Sequence, residues 1–220
     1  MNADMLHLDL AISPDSVPRI LCLGAHSDDI EIGCGGTVLK LLRQYPGAYV
    51  HWVVFSAFGE RIAEARASAA MFLRGAGQTQ IAVEQFRDGY FPFEGAAIKD
   101  YVERLKAFQP DLVFTHYRDD RHQDHRLLSD LTWNTFRDHL VLEYEIPKFD
   151  GDLGNPNVFV YLDDELCRQK MAILHECFVT QRDKPWFTEE TFRALLRLRG
   201  IESRAPGAYA EAFYGRKVVI

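Results

Sequence analysis

The sequence predicts a single α/β domain built on a doubly wound, mostly parallel sheet with helices on both faces. Apolar runs of strand length alternate with longer segments of helical periodicity from residue 19 to residue 146. The run Tyr49–Ser56 is nearly all apolar, aromatic or β-branched, which is typical of a parallel strand buried on both faces. A chain of 220 residues is long enough to enclose one large core of this kind.

Five strands and four helices are predicted in the alternating part of the chain. The strands are expected at residues 19–25, 49–56, 79–86, 111–115 and 140–146. The helices are expected at about residues 35–44, 60–73, 96–108 and 123–137. Because two parallel strands need a crossover connection, usually a helix, this alternation indicates a Rossmann-like arrangement.

The two ends of the chain depart from this alternation. Residues 1–17 are predicted to form an N-terminal arm, since Pro14 and Pro18 bracket the entry to the first strand. Residues 148–157 are rich in Gly, Asp, Asn and Pro, and we interpret them as a long functional loop rather than a domain boundary. The single domain is completed by a short strand at 158–161, helices at 163–177 and 187–199, and a strand-like tail at 217–220.

Composition and charge limit the classes of partner. The formal net charge is -7 and basic side chains form no tract, so we expect no nucleic-acid partner. The chain has no run of about 18 apolar residues and no signal-peptide pattern, so we expect a cytoplasmic protein without integral membrane association. The four cysteines form no C-x-x-C pair, and we expect buried free thiols. A homo-oligomer is compatible with the sequence.

Two clusters of polar side chains follow predicted strands one and four. The first lies directly after strand one, and the second opens the helix after strand four. In a doubly wound sheet these strands are neighbours at the switch point, where ligands bind outside the carboxyl ends of the strands. The sequence therefore predicts one pocket with three imidazoles and three carboxylates, namely His26, Asp28, Asp29, His122, Asp124 and His125.

This set of side chains contains the ligands of a catalytic metal site. Two histidine nitrogens and one carboxylate oxygen, with a fourth position open for water, are typical of catalytic zinc. Fe2+, Co2+ and Mn2+ accept the same mixture of nitrogen and oxygen ligands. Each residue also has a simpler interpretation: a histidine after a strand commonly lies at the surface, and an Asp-Asp pair before a helix commonly caps it. The conjunction of both clusters at the switch point favours the metal site.

The two clusters resemble the signature of a known family. Ala-His-Ser-Asp-Asp at residues 25–29 is similar to the Ala-His-Pro-Asp-Asp motif of the LmbE/PIG-L-like zinc-dependent N-acetylglucosamine deacetylases. His-Gln-Asp-His at residues 122–125 is similar to their His-Pro-Asp-His element. Weaker likenesses lie at residues 33–37, 61–65 and 209–213. Ser27 and Gln123 stand where the family has proline, and neither exchange removes a ligand or the base.

The resemblance implies a function and a role for each residue of the two clusters. It implies a hydrolase that uses zinc-activated water to remove the N-acetyl group from an N-acetylglucosamine-type amino sugar, or from a small-molecule conjugate of one. The implied zinc ligands are His26, Asp29 and His125. Asp28 is implied to be the general base, His122 to stabilise the oxyanion, and Asp124 to orient His122.

Three further residues are candidates for substrate binding. The family has an arginine at the position of Arg61, which is implied to hold a sugar hydroxyl or phosphate; a salt bridge to Glu64 on the same helix face is the alternative interpretation. Tyr90 is a candidate for an aromatic platform under the sugar, with core packing as the alternative. Glu211 lies in the tail motif and is a candidate to reach the site.

Three other functional classes are compatible with parts of the sequence. A receiver-type signalling domain also has an acidic pair after strand one, with Asp88, Thr115 and Lys148 in the places of its other site residues. Such domains are shorter, however, and the site histidines are then unexplained. A dinucleotide-binding domain needs a G-x-G-x-x-G spacing, which residues 33–36 lack. A non-catalytic sugar- or metal-binding protein of the same fold would not require Asp28.

Overall fold

Seven strands and six α-helices make up the computed structural model, which describes residue 10 and residues 17–219. The strands are β1 (Arg19–His26), β2 (Tyr49–Ser56), β3 (Gln78–Val83), β4 (Leu112–His116), β5 (Leu140–Tyr144), β6 (Val158–Leu162) and β7 (Tyr209–Gly215). The α-helices are α1 (Asp29–Gln44), α2 (Glu60–Phe72), α3 (Gly95–Arg104), α4 (Gln123–Thr135), α5 (Asp164–Cys177) and α6 (Glu189–Glu202). Short 3-10 turns occupy Phe91–Phe93, Leu105–Phe108 and Val179–Gln181.

The strands pair into one sheet in the order β3-β2-β1-β4-β5-β7-β6. The first five strands in this order are parallel, whereas β7 pairs antiparallel with both β5 and β6. The chain moves from β1 toward β3 in one direction and from β4 onward in the other, so its winding reverses between β1 and β4. This confirms the predicted doubly wound, mostly parallel sheet, and the switch point lies where the sequence placed it.

Two apolar cores cover the two faces of the sheet. Side chains alternate along β1, so that Ile20 and Cys22 join one core while Leu21 and Leu23 join the other, and all four are buried. Helices α1, α2, α5 and α6 pack on the first face, and α3 and α4 pack on the second. Helices therefore lie on both faces, as predicted.

Helix α1 begins at Asp29, not at about residue 35 as predicted. The glycines of residues 33–36 therefore lie inside the helix. A Cβ atom on Gly33 would lie 2.1 Å from the ring of Tyr144, and one on Gly35 would lie 2.6 Å from the ring of Phe72. The glycines are therefore needed for the close approach of α1 to β5 and α2, and this packing offsets their low helix propensity.

The C-terminal strand also differs from the prediction. The strand is β7, and residues 217–219 have no regular secondary structure. Val218 and Val219 are exposed, whereas Ala210 and Ala212 of β7 are buried. The reason is that β7 has a hydrogen-bonded neighbour on each side, β5 and β6, while the described part of the tail, residues 217–219, pairs with no strand.

Three further predictions concern the N-terminus, the cysteines and membrane-spanning helices. Most of the predicted arm at 1–17 lies outside the described residues, so it stays a prediction; the Leu10 carbonyl accepts a hydrogen bond of 3.1 Å from the Tyr45 hydroxyl. All four cysteines are free and buried, as expected. Among the described residues, none of the helices combines the length and apolar character that crossing a membrane requires.

His51 makes stability depend on pH. It lies on β2, is 4% exposed, and neither of its ring nitrogens has a hydrogen-bond partner among the described residues. Burial lowers the pKa of His51 from 6.5 to about 4. Between pH 6.5 and 4 the imidazole is protonated in the unfolded chain but neutral in the folded protein. The free energy of unfolding therefore decreases as the pH falls through this range. We expect His51→Phe to remove roughly 3 kcal/mol of this loss.

Urea unfolding of wild type and His51→Phe across this pH range measures the effect. As the pH falls, the free energy of unfolding is expected to decrease more in wild type than in His51→Phe. This holds whatever the difference between the two proteins is at neutral pH. Two parallel pH profiles would contradict the assignment to His51.

Candidate active site

The first cluster is held by the junction of β1 and α1. His26 is the last residue of β1, Asp28 precedes α1, and Asp29 is the first residue of that helix. The Asp29 Oδ2 atom accepts a hydrogen bond of 2.6 Å from the backbone N–H of His26, which fixes the carboxylate beside the imidazole. The strand therefore places the histidine, and the helix places the carboxylate next to it.

The second cluster opens α4, across the switch point. His122 precedes the helix, and its Nδ1 atom accepts a hydrogen bond from the backbone N–H of Asp124 at 3.3 Å. His125 lies in the first turn and is buried. Because β4 lies next to β1, the rings of His26 and His125 meet across the boundary between the two strands. The structure thus brings both clusters into one pocket.

Three ligand atoms converge in this pocket. The His26 Nδ1 atom lies 3.1 Å from His125 Nε2 and 3.3 Å from Asp29 Oδ2, and the last two atoms are 3.5 Å apart. Ligands at roughly 2.0–2.1 Å from a tetrahedral ion lie about 3.3–3.4 Å from one another. Burial lowers the pKa of His125 to about 3, so its imidazole is neutral, as a metal ligand has to be. The three residues therefore fit one tetrahedral metal ion with a fourth position open.

Asp120 is a functional residue that the sequence interpretation missed. Its Oδ2 atom lies 2.9 Å from His125 Nδ1, so it orients that imidazole with Nε2 toward the other ligand atoms. Its Oδ1 atom accepts a hydrogen bond of 2.8 Å from the backbone N–H of His122, and Lys148 lies 3.0 Å from the same carboxylate. The signal in the sequence was a carboxylate two residues before His122, but the adjacent Asp119 offered an equal choice.

The outer side of the His26 imidazole faces two more carboxylates. Its Nε2 atom lies 3.1 Å from Asp88 and 3.3 Å from Asp124. The Asp124 carboxylate accepts two backbone N–H bonds from residues 89–91, at 2.6 and 3.1 Å, and faces His26. Asp124 contacts His122 through its backbone N–H instead, so the implied role of its carboxylate toward His122 stays a prediction.

His116, at the end of β4, is fully buried beneath the site. Its ring stacks on His125 with centroids 3.9 Å apart, and its Nε2 atom lies 3.2 Å from Asp29 Oδ2. The same nitrogen accepts a hydrogen bond of 2.9 Å from the backbone N–H of Ala25. This histidine therefore packs beneath His125 and beside Asp29 without reaching the cleft.

His122 faces the cleft as a neutral hydrogen-bond donor. Burial and the neighbouring His26 lower the pKa of His122 below its ordinary value of 6.5. Because Nδ1 accepts the Asp124 N–H, the proton of the neutral ring lies on Nε2. The ring is edge-on to His26, with centroids 4.9 Å apart. An N–H beside the ligand cluster suits an oxygen that gains negative charge during a reaction.

Asp28 lies next to the ligands and has one unused carboxylate oxygen. Arg61 donates to Oδ1 at 2.9 Å, whereas Oδ2 is buried without a hydrogen-bond partner in the part of the chain that is described. Burial raises the pKa of Asp28, and Arg61 offsets this only in part. Arg61 also lies 3.6 Å from Glu64, which is the alternative interpretation of the arginine, and its implied contact with a substrate stays a prediction. A carboxylate with a raised pKa and a free oxygen is the arrangement expected of a general base.

A cleft of about 540 Å³ opens above these residues. Beyond the two clusters, its lining includes Phe58, Phe149, Trp186, Lys148 and Lys184. Tyr90, the candidate platform, is not among the residues that line it. The Tyr90 ring contacts Arg87 and Phe93 instead, because the turn at Phe91–Phe93 directs it away from the cleft.

Glu211 lies in the core, away from the cleft, which corrects its candidate role in substrate binding. Its carboxylate is buried and accepts hydrogen bonds from the backbone N–H groups of Gly36 (2.8 Å) and Thr37 (2.6 Å) in α1. Lys170 of α5 donates to the same carboxylate at 2.7 Å. The pleat of β7 directs this side chain under α1, where it joins three elements of the core.

A match to the sequence model of a known protein family covers both motifs of the site. Residues 21–136, more than half of the chain, match the sequence model of the family described as PIG-L: GlcNAc-PI de-N-acetylase. The chain belongs to the PIG-L family. Both motifs of the site lie within the matched residues, in agreement with the resemblance found in the sequence. Membership of the PIG-L family, a family of deacetylases, replaces the receiver-type and dinucleotide-binding alternatives.

Solved structures with the same fold include two deacetylases and a hydratase. N,N'-diacetylchitobiose deacetylase from Pyrococcus horikoshii is 20% identical, with 91% of this chain and 84% of that chain covered and a TM-score of 0.70. The zinc-inhibited form of teicoplanin deacetylase Orf2 is 16% identical, with coverages of 90% and 97% and a TM-score of 0.69.

The hydratase is GalB, the 4-carboxy-2-hydroxymuconate hydratase from Pseudomonas putida. It is 18% identical, with 93% of this chain and 98% of that chain covered and a TM-score of 0.73. At such identities these likenesses establish the PIG-L-type fold alone. Since one fold carries both reactions, the reaction of this chain has to be derived from its site.

Proposed function

We propose that this PIG-L family protein removes the N-acetyl group from an N-acetylglucosamine-type amino sugar or from a small-molecule conjugate of one. The observation that carries the proposal is Asp28, a buried carboxylate with a free oxygen beside three converging ligand atoms. A protein that only bound a sugar or a metal would not require this carboxylate. The family to which the chain belongs supports the same reaction.

The metal is proposed to be zinc, held by His26, Asp29 and His125. Two nitrogens and one oxygen, at the spacing described above, suit this ion. When bound, zinc supplies water of lowered pKa and polarises the amide carbonyl. Burial alone would lower the pKa of His26, but the carboxylates around it raise that pKa, so metal binding has to displace a proton from its Nδ1 atom.

The side chains of the protein provide the proton transfers and stabilise charge. Asp28 takes a proton from the attacking water through its free Oδ2 atom, while Arg61 holds Oδ1 and fixes the direction of the carboxylate. His122 donates from Nε2 to the amide oxygen as that oxygen becomes negative, an interaction worth about 3–4 kcal/mol. Asp28 then gives the proton to the leaving nitrogen as the C–N bond breaks, so acetate and a free amine are released.

The proposal is tested by measuring free amine and acetate from a panel of N-acetylglucosamine conjugates. Metal-loaded protein is expected to release the two products in equal amounts, and metal-stripped protein to release neither until Zn2+ is added back. A metal-loaded protein that released no amine from any conjugate would contradict the proposal. Hydration of a carboxylated enol without acetate release would instead favour the reaction of the hydratase relative.

Replacing Asp120 is expected to weaken zinc binding. In Asp120→Ala the imidazole of His125 loses the carboxylate that orients it, and loss of such a partner costs roughly 10–100-fold in metal affinity. Competition with a chromophoric chelator measures the change. Asp119→Ala, which removes the adjacent exposed carboxylate, is the control and is expected to leave the affinity unchanged. Equal affinities in wild type and Asp120→Ala would contradict the role given to Asp120.

We further propose that the protein acts in the cytoplasm on a diffusible substrate. The four buried free thiols suit a reducing compartment. The net charge of -7 disfavours a polyanionic partner such as nucleic acid.

A further inference from the structure

We propose that Phe149 is the specificity residue of the cleft, where it holds the apolar face of a group attached to the amino sugar. The inference rests on the proposed function and names the class of conjugate: an amino sugar with an aromatic or aliphatic aglycone. It depends on three observations, namely the anchoring of the loop that carries Phe149, the exposure of its side chain, and the pairing of the charges around it.

The loop between β5 and β6 is anchored on both sides of Phe149. On one side, Lys148 donates to Asp152 at 2.6 and 2.8 Å and lies 3.0 Å from Asp120. These side chains are nearly buried, with exposed fractions of 9% for Lys148, 7% for Asp152 and 3% for Asp120. The Asp152 carboxylate also accepts the backbone N–H of Arg121 at 2.6 Å. Phe149 is therefore joined to the loop that carries a metal-orienting carboxylate.

A second buried ion pair holds the start of the loop, and the same arginine also holds its far side. Arg199 of α6 contacts Glu145 through two hydrogen bonds of 2.7 Å and donates to the carbonyl of Gly154 at 3.0 Å. Asn157 then makes two hydrogen bonds with the backbone of Gly215 in β7. A loop fixed at so many points holds its backbone in place before any ligand arrives, which lowers the entropy cost of binding.

Phe149 is nonetheless 78% exposed while it lines the cleft. Phe58 (48% exposed) and the half-buried Trp186 line the same cleft from two other segments of the chain. A concave site with several exposed aromatic rings, one of them on an anchored loop, is typical of a surface that covers an apolar group. In the proposed function the metal and Asp28 bind the acetamide at the bottom of the cleft. The aromatic rings are then free to contact the group attached to the amino sugar.

The charge next to Phe149 favours an uncharged aglycone over an anionic one. Lys148 is paired with Asp120 and Asp152, so its ammonium group already has its countercharges. Arg61 and Lys184 also line the cleft: Arg61 donates to Asp28 through Nη2 while its Nη1 has no hydrogen-bond partner among the described residues, and the Lys184 ammonium group lies over the ring of Trp186 at 5.5 Å from the centroid. The test therefore includes an anionic substrate.

The experiment compares four substrates on the zinc-loaded protein: N-acetylglucosamine, its phenyl and hexyl β-glycosides, and its 1-phosphate. Wild type is expected to have a KM about 10-fold lower for the two apolar glycosides than for the other substrates, at similar kcat. Phe149→Ala is expected to remove this advantage by raising the KM for the two apolar glycosides to the KM for N-acetylglucosamine. Phe149→Leu keeps an apolar face and is expected to retain part of the advantage for the hexyl glycoside.

Phe93→Ala is the matched control, since Phe93 is 83% exposed on a turn outside the cleft lining. Equal KM values for all four substrates, a preference for the 1-phosphate, or an unchanged preference in Phe149→Ala would each overturn the inference. If no substrate releases an amine, the proposed function fails separately. Calorimetry of the zinc-loaded proteins then decides the inference: tighter binding of the phenyl glycoside than of N-acetylglucosamine, lost in Phe149→Ala, supports it, and equal binding overturns it.

Discussion

Asp28→Asn is expected to lower kcat by about 10³-fold while zinc remains bound in equal amount. Asparagine keeps an oxygen that can accept the hydrogen bond from Arg61, so the geometry beside α1 is preserved. It cannot take a proton from the attacking water, because an amide oxygen is far less basic than a carboxylate. The loss is therefore expected in kcat rather than in metal content or KM.

Single-turnover kinetics together with metal analysis of the same preparation measures both quantities. Asp130→Asn, on an exposed position of α4, is the control for a nonspecific effect of removing a carboxylate. A variant at Asp28 with full kcat would remove the residue from the mechanism. A variant that had lost its zinc would instead make Asp28 part of the metal site.

Lys170→Met is expected to lower the free energy of unfolding by about 3–5 kcal/mol. The substitution leaves the Glu211 carboxylate in the core without its countercharge, and it removes a hydrogen bond of 2.6 Å from the ammonium group to the carbonyl of Ile32. Both members of the pair are 2% exposed, so water cannot replace the lost contacts. This is the largest effect on stability that we expect from a residue outside the cleft.

Denaturant unfolding of the zinc-free protein measures this loss without a contribution from metal binding. Lys99→Met is the control, because it removes a lysine–carboxylate pair in which both side chains are partly exposed, and such pairs contribute about 0–1 kcal/mol. The double variant Lys170→Met with Glu211→Gln is expected to lose less than the sum of the single losses, since no buried charge remains unpaired. Additive losses would contradict a direct interaction.

The order of the sheet and the meeting of the two clusters were predictable because both follow from local patterns. Apolar alternation places the strands, and the doubly wound order makes β1 and β4 neighbours, so the residues after them share a pocket. The start of α1 was not predictable in this way. Gly33 and Gly35 disfavour a helix locally, and the reason that they belong to one, contact with Tyr144 and Phe72, lies in distant parts of the chain.

The residues around the ligands illustrate the same limit. Glu211 and Tyr90 belong to stretches that suggested a role in the site, yet neither side chain points into the cleft. The pleat of β7 directs Glu211 into the core, and the turn after residue 90 directs Tyr90 away from the cleft. Asp120 was missed for the opposite reason. Its role is defined by the rotamer that brings it to His125 and by Lys148 from another loop, and neither is encoded in the spacing of the motif.

The contact between Glu211 and α1 has a consequence for the order in which the protein is made. The N–H groups of Gly36 and Thr37 are satisfied by a side chain 175 and 174 residues further along the chain. During synthesis the helix that starts with Asp29 therefore emerges long before its partner strand does. The residues that match the family model, 21–136, therefore emerge before β7, the strand that carries Glu211 and that lies between β5 and β6 in the sheet, so the core under α1 closes only after that strand is made.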